Sequence, residues 1–140
     1  MTREDGFSRA GVEGLATFLA FDFGLKRTGV AVGNRLLAQA TPLPTIRAEG
    51  AARMEAAAAR IAEWQPDALV VGVPFHPDGA PHENTQRARR FARQLRARFG
   101  IPVFEVDERY STTEAQARGA YDLDAASACV ILEQFFSELT

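Results

Sequence analysis

The segment TFLAFDF (Thr17–Phe23) is apolar at all but two positions and rich in strand formers, the pattern of a strand buried on both faces. Gly24 interrupts it. Residues 28–32 and 36–40 are two shorter β candidates around a turn at Gly33-Asn34-Arg35, so the chain is expected to open with a three-stranded antiparallel meander. The pattern then changes. GAARMEAAAARIAEW (Gly50–Trp64) is alanine-rich and helical until Pro66 stops it, and ALVVGV (Ala68–Val73) is a short, wholly apolar strand. The three prolines and the Pro-Asp-Gly turn of PFHPDGAPHEN make that stretch a loop. Beyond it, Ala88, Phe91, Ala92, Leu95 and Phe99 share one helical stripe, with Asn84 or Thr85 to cap its start and Gly100 its end. Residues 102–106 read as a strand and 122–138 as a last helix. The order β-β-β-α-β-α-β-α predicts an α/β fold. Its mixed five-stranded sheet carries helices on both faces, and the later strands run parallel through right-handed crossovers.

Composition narrows this to one domain. The chain has 140 residues, 46% apolar and 24% charged, without repeats or an interdomain linker; residues 1–16 read as a flexible arm and 17–140 as the domain. No apolar run approaches the roughly 18 residues that would span a bilayer, and MTREDGFSRAGVEG has no apolar signal-peptide core, so a cytoplasmic address without membrane contact is expected. A single cysteine, Cys129, supplies neither a disulfide framework nor a cysteine-based zinc site. Formal net charge is −2, which does not announce a nucleic-acid binder. Its distribution is more informative. Arg87, Arg89, Arg90, Arg93, Arg96 and Arg98 lie in one helix without an acid among them, while the rest of the chain holds ten basic against eighteen acidic residues. Such a stripe, with Arg89, Arg93 and Arg96 along one line, is a candidate phosphate-binding face; a solvated helix face balanced by acids elsewhere is the alternative.

The candidate chemistry lies in acids at inward positions. Asp22 alternates with Phe18 and Ala20 inside the first strand, where a carboxylate is costly unless paired, hydrogen-bonded or bound to a metal. Accepting turn hydrogen bonds at a strand end is the plainer reading. Asp107-Glu108-Arg109 ends a later strand; alternation places Glu108 with Phe104 and Val106, and Asp107 with Glu105. A local ion pair to Arg109 would explain this cluster equally well. Asp124 tops the stripe Ala128, Ile131, Phe135 of the last helix, where an acid also favours the helix dipole; Asp122 is as good a cap and would leave Asp124 free. Three carboxylates on three elements suit a hard divalent cation such as Mg²⁺ or Mn²⁺, provided the fold brings them together.

Four ordered segments carry a resemblance. LAFDFGLKRTGVAVGN (residues 19–34), ALVVGVPFHPDG (68–79), VDERYSTTEA (106–115) and LDAASACVILEQFF (123–136) resemble the opening strand, central strand and loop, Asp-Glu-Arg block and final helix of the YqgF/RuvX family. The resemblance implies a ribonuclease H-like fold, a role in maturing the 5′ end of pre-16S ribosomal RNA, and kinship with Holliday-junction resolvases. It makes Asp22, Glu108 and Asp124 the catalytic and metal-binding acids, with Asp107 as a substitute or helper, and Mg²⁺ or Mn²⁺ the cofactor. Lys26, Arg27 and Arg109 would then meet phosphates of a nucleic acid, whether structured RNA such as pre-16S rRNA or branched DNA. Only residues 116–123 separate the third block from the final-helix acid, fewer than in many relatives, so an element contacting substrate is trimmed.

Alternatives remain at this stage. A Holliday-junction-resolvase-type DNA nuclease and a non-catalytic nucleic-acid-binding module share every feature above, and the chain could act as a monomer or homodimer. A sugar-kinase or actin-like phosphate binder also opens with Asp-x-Gly, but needs far more than 140 residues. His76 and His82, in the proline-rich loop, are either solvated or placed to shuttle protons.

Overall fold

A computed structural model describes residues 14–76, 78–108 and 122–139. Five strands form one mixed sheet in the order β3-β2-β1-β4-β5: β1 (Thr17–Phe23), β2 (Thr28–Asn34), β3 (Gln39–Ile46), β4 (Ala68–Val73) and β5 (Val103–Asp107). β1 pairs antiparallel with β2, and β2 with β3; β1–β4 and β4–β5 are parallel. Helices α1 (Gly50–Trp64) and α2 (Thr85–Phe99) cover one face, and α3 (Leu123–Ser137) covers the other. Every residue of β4 is buried, as expected of a strand between two helical layers.

The main departure from the expected elements is the third strand, which runs 39–46 rather than 36–40. Pro42 and Pro44 argue against a strand in sequence. β3 is an edge strand, where alternate residues turn their nitrogen away from β2 and a missing N–H forfeits no ladder bond. The turn therefore falls later, with Ala38 in the left-handed region at φ 53°. At the start of β1, Asp67 accepts hydrogen bonds from the Ala16 and Thr17 amides at 2.9 and 3.0 Å, and the Leu15 carbonyl accepts one from Arg35.

The face under α1 and α2 is a continuous apolar layer in which Leu19, Phe21, Val30, Leu69, Val71 and Val103 meet Ala57, Phe91 and Leu95. The face under α3 is built differently. At its lower end Phe18, Phe104, Phe135 and Phe136 cluster, with Phe18 5.5 Å from each of the two helix rings. Along β2, small residues at alternate positions (Gly29, Ala31, Gly33) let α3 lie close to the sheet. A Cβ on Gly33 would stand 2.8 Å from Leu132, and one on Gly29 would overlap the backbone oxygen of Asp124.

Candidate active site

The upper end of that same face, at the carboxyl ends of the parallel strands, holds the acids. Asp22 is the penultimate residue of β1, and its cross-strand neighbours are Gly29 on β2 and Gly72 on β4. Directly paired residues point to the same side of a sheet, so the Asp22 side chain is flanked on both sides by positions without one. Other groups occupy the space. The backbone at the start of α3 presses on Gly29, and the Glu108 carboxyl lies where a Cβ on Gly72 would stand 3.1 Å from it. Glu108 follows β5, which is anchored there by its amide donating to the Val73 carbonyl at 3.2 Å. Its carboxyl thus lies on the α3 face.

Asp22 and Glu108 are in hydrogen-bond contact. Two carboxyl groups can share a hydrogen bond only by holding a proton between them. Burial pushes the Asp22 pKa up from 3.8 to about 6; the bond to Glu108 opposes the rise, and the nearby charge of Asp124 adds to it. Asp124 arrives on the first turn of α3. The Asp122 side chain caps that helix by accepting from the Ala125 amide at 3.2 Å, and the Thr45 hydroxyl donates to Asp122 at 2.9 Å. With Asp122 occupied in this way, Asp124 is spared the capping role. Its carboxylate instead pairs with the Arg27 guanidinium at 3.2 Å.

The three acids therefore lie at one end of one sheet face, with two in contact and the third tied to an arginine. Among the described residues, no three His, Cys, Asp or Glu side chains stand close enough together to enclose an ion. Asp107 points to the other side of the sheet, beside Val73, and is exposed. Lys26 and Arg27 are exposed on the loop that leaves β1. Arg109, and most of the short segment 116–123, lie outside the described residues.

The basic helix is divided in its commitments. Arg89 and Arg96 both reach Glu105 on β5, at 3.7 and 3.0 Å, and Arg98 pairs with Glu55 at 2.8 Å; Arg93 and Arg90 are exposed. The expected line of Arg89, Arg93 and Arg96 is thus two-thirds occupied by an acid of the sheet. His76 and His82 lie ring to ring, 5.1 Å apart, and His82 Nδ1 accepts from the Asn84 amide.

Two members of the site escaped the sequence reading, Gly29 and Gly72. The signal was present: a glycine inside a buried strand marks a close approach, and both sit level with the one acid in β1. A third residue, Arg53 on α1, is 7% exposed, stacks on Phe23 at 4.3 Å and donates to the carbonyls of Gly24 and Leu25. Its recurrence with Ala57 and Ile61 at intervals of four was the available hint.

Comparison with known proteins agrees with this architecture. The family model described as "RuvX: Holliday junction resolvase" matches residues 16–138. Relatives from Polaromonas sp. (strain JS666 / ATCC BAA-500) and Albidiferax ferrireducens are 73% and 71% identical, over 90% and 89% of this chain and 91% and 80% of their own; each bears the name "Putative pre-16S rRNA nuclease". Among solved structures, T. thermophilus RuvC in complex with Holliday junction substrate superposes with a TM-score of 0.53 at 16% identity, covering 86% of this chain and 94% of its own, a likeness of fold. Matched along nearly its whole domain by sequence and by the ribonuclease H-like sheet, the chain belongs to the RuvX family of nucleases.

Proposed function

We propose that this protein is a divalent-metal-dependent endonuclease that hydrolyses phosphodiester bonds and processes the 5′ end of pre-16S rRNA. The observation that carries the reading is the Asp22–Glu108 pair, two carboxyl groups in contact on a sheet face where Gly29 and Gly72 let the start of α3 and the Glu108 carboxyl approach closely. A structural acid pair would ordinarily be exposed or matched by a base. Here burial and the charge of Asp124 raise the Asp22 pKa, an arrangement that a cation would relieve. The names borne by the relatives support the RNA substrate.

The residues suit the ion. All the candidate ligands are oxygens, and Mg²⁺ or Mn²⁺ commonly takes one or two carboxylates and completes its shell with water and substrate phosphate. Asp22 and Glu108 would hold it, with Asp124, now paired with Arg27, as the third carboxylate available to it. The chemistry such an ion would supply is activation of a water for in-line attack and neutralisation of charge on the leaving oxygen. Lys26 and Arg27 draw in the scissile phosphate and fix its orientation, because both are exposed on the loop directly after Asp22 and Phe23. The new P–O bond forms to the water oxygen as the bond to the 3′ oxygen breaks, leaving a 5′ phosphate. An entering ion would compete with the proton on Asp22, whose pKa burial raises to about 6.

A Holliday-junction-resolvase-type DNA nuclease is the second reading, favoured by the family description. The test is cleavage of labelled single-stranded RNA, single-stranded DNA and a four-way junction with Mg²⁺ or Mn²⁺, comparing the protein with Asp22→Asn and Asp124→Asn. Metal-dependent cutting of RNA that disappears in both variants is expected. Preferential cutting of the junction by a dimer transfers the reading to DNA. Binding without cutting, unchanged in the variants, removes the catalytic role altogether.

A further inference from the structure

On the opposite face of the sheet from the acids, a cleft of about 310 Å³ opens between α1 and α2, at the low end of the range for ligand sites. Arg53, Arg87 and Arg90 line it together with Gly50, Gln94 and the ring of Phe23, and no acid is among its walls. The adjoining part of the groove is different in character, because the Arg98–Glu55 ion pair neutralises it.

Two independent features distinguish the cleft from a plain gap between helices. The first is Arg53. It is 7% exposed, it lines the cleft, and its Nε has no hydrogen-bond partner among the described residues. Its guanidinium is pinned over Phe23 and donates to two carbonyls of the loop after β1, so its charge is fixed in place and only partly satisfied. Burial lowers its pKa, and the nearest opposing influence is Glu49. The second is the start of α1. Its N-cap, Glu49, makes no side-chain cap hydrogen bond and its first turn has no acid, so the leading amides of a fifteen-residue helix have no side-chain acceptor.

The location joins this cleft to the acids. Phe23, beneath Arg53, is the residue after Asp22, and successive residues of a strand face opposite sides of the sheet. Lys26 and Arg27 are exposed on the loop that continues directly from Phe23. We propose that the α1–α2 cleft is a phosphate subsite that holds a backbone phosphate of the nucleic-acid strand whose reacting linkage lies at Asp22 and Glu108. The strand passes over the edge of the sheet along Lys26 and Arg27, and the cleft fixes its register. Arg87 and Arg90, both exposed, supply charge at the mouth; Arg53 and the α1 amides supply the fixed charge within. This rests on the nuclease reading for its substrate, but concerns binding alone.

The experiment separates the two. Binding of a labelled single-stranded RNA is measured against KCl concentration in chelator, in an Asp22→Asn background that prevents cutting. The Arg87→Gln/Arg90→Gln double variant is expected to bind at least about tenfold more weakly at low salt, with a log K against log[KCl] slope shallower by about 0.7–1.4. Arg35→Gln, which removes the same kind of charge at the opposite end of the sheet, beside the start of β1, should bind unchanged. An unchanged affinity and slope in the double variant overturns the subsite, as does an equal loss in Arg35→Gln. Cleavage by the protein with Asp22 intact is scored independently. If it cuts nothing while the double variant still loses affinity, the nuclease reading fails and the subsite stands. A walk of single methylphosphonate linkages along a DNA oligonucleotide gives a second check. One neutralised position should weaken the parent protein and not the double variant, whereas equal sensitivity of both proteins at every position overturns the proposal.

Discussion

The face of the sheet under α3 has two ends built on opposite plans. At the lower end β1, β5 and α3 contribute Phe18, Phe104, Phe135 and Phe136, whose rings fill the space between sheet and helix. At the upper end β1, the residue after β5 and α3 contribute Asp22, Glu108 and Asp124, while β2 and β4 contribute glycine at positions 29 and 72. One end is stabilised by burying aromatic area, the other brings carboxyl groups together beside glycines. The lower end can afford the upper: a rigid aromatic anchor at one end of α3 fixes the helix so that its first turn delivers Asp124 to the acids at the other.

The largest effect expected from breaking this contrast is on catalysis. Asp22→Asn should lower metal-dependent cleavage by about a thousandfold or more, equivalent to roughly 4 kcal/mol of lost charge stabilisation, measured as single-turnover rates. Phe135→Ala at the other end should instead reduce global stability by about 3–5 kcal/mol in urea unfolding, through the cavity it leaves, and reduce cleavage only in proportion to the protein unfolded. A comparable loss of cleavage in folded Phe135→Ala would erase the division of labour.

Next come the glycines. Gly29→Ala places a methyl group on the backbone oxygen of Asp124, which cannot rotate away, so α3 must shift; a loss of about 3 kcal/mol or more is expected. Gly72→Ala meets the flexible end of Ile131 and the Glu108 carboxyl, and should lose only about 1 kcal/mol while weakening Mn²⁺ binding measured by calorimetry. Equal stability losses would show that the two positions are merely packing sites.

These glycines also mark what was legible in the sequence. Alternation sorted the residues of β1 between two faces, the helical stripe of α3 set Asp124 at its top, and Asp122 supplied an alternative cap; each follows from local periodicity. The edge strand was misplaced because Pro42 and Pro44 act through position in the sheet, which a single segment does not reveal. The pairing of Asp22 with Gly29 and Gly72 depends on register, and so does the capture of Arg89 and Arg96 by Glu105. Charge that looks free along one helix is assigned only when the neighbouring strand is known.

The pH response should separate the ends again. The Asp22 pKa is about 6 in the folded protein against 3.8 ordinarily, so between those values the folded state holds more protons than the unfolded. Stability in chelator should therefore fall as pH rises from about 4 through 6, by on the order of 2–3 kcal/mol, and level off above. Asp22→Asn should flatten that slope in urea titrations across this window. A slope retained in the variant would place the titrating group elsewhere.

The smallest effect, and the one that most sharpens the contrast, concerns Arg27. Its side chain is 57% exposed, so the ion pair with Asp124 contributes under about 1 kcal/mol to stability. Its consequence lies in what it withholds: while the guanidinium occupies the Asp124 carboxylate, that carboxylate is unavailable to a cation beside Asp22 and Glu108. Arg27→Gln should thus bind Mn²⁺ a few-fold more tightly in the absence of nucleic acid, since the competing partner is gone. The same variant should bind RNA more weakly, since Arg27 leaves Asp124 to meet a phosphate. Opposite changes in the two affinities would identify the pair as a hand-over from acid to substrate. A loss in both would make Arg27 a structural support for the loop after β1, and a gain in both would leave Asp124 as the residue that repels the strand.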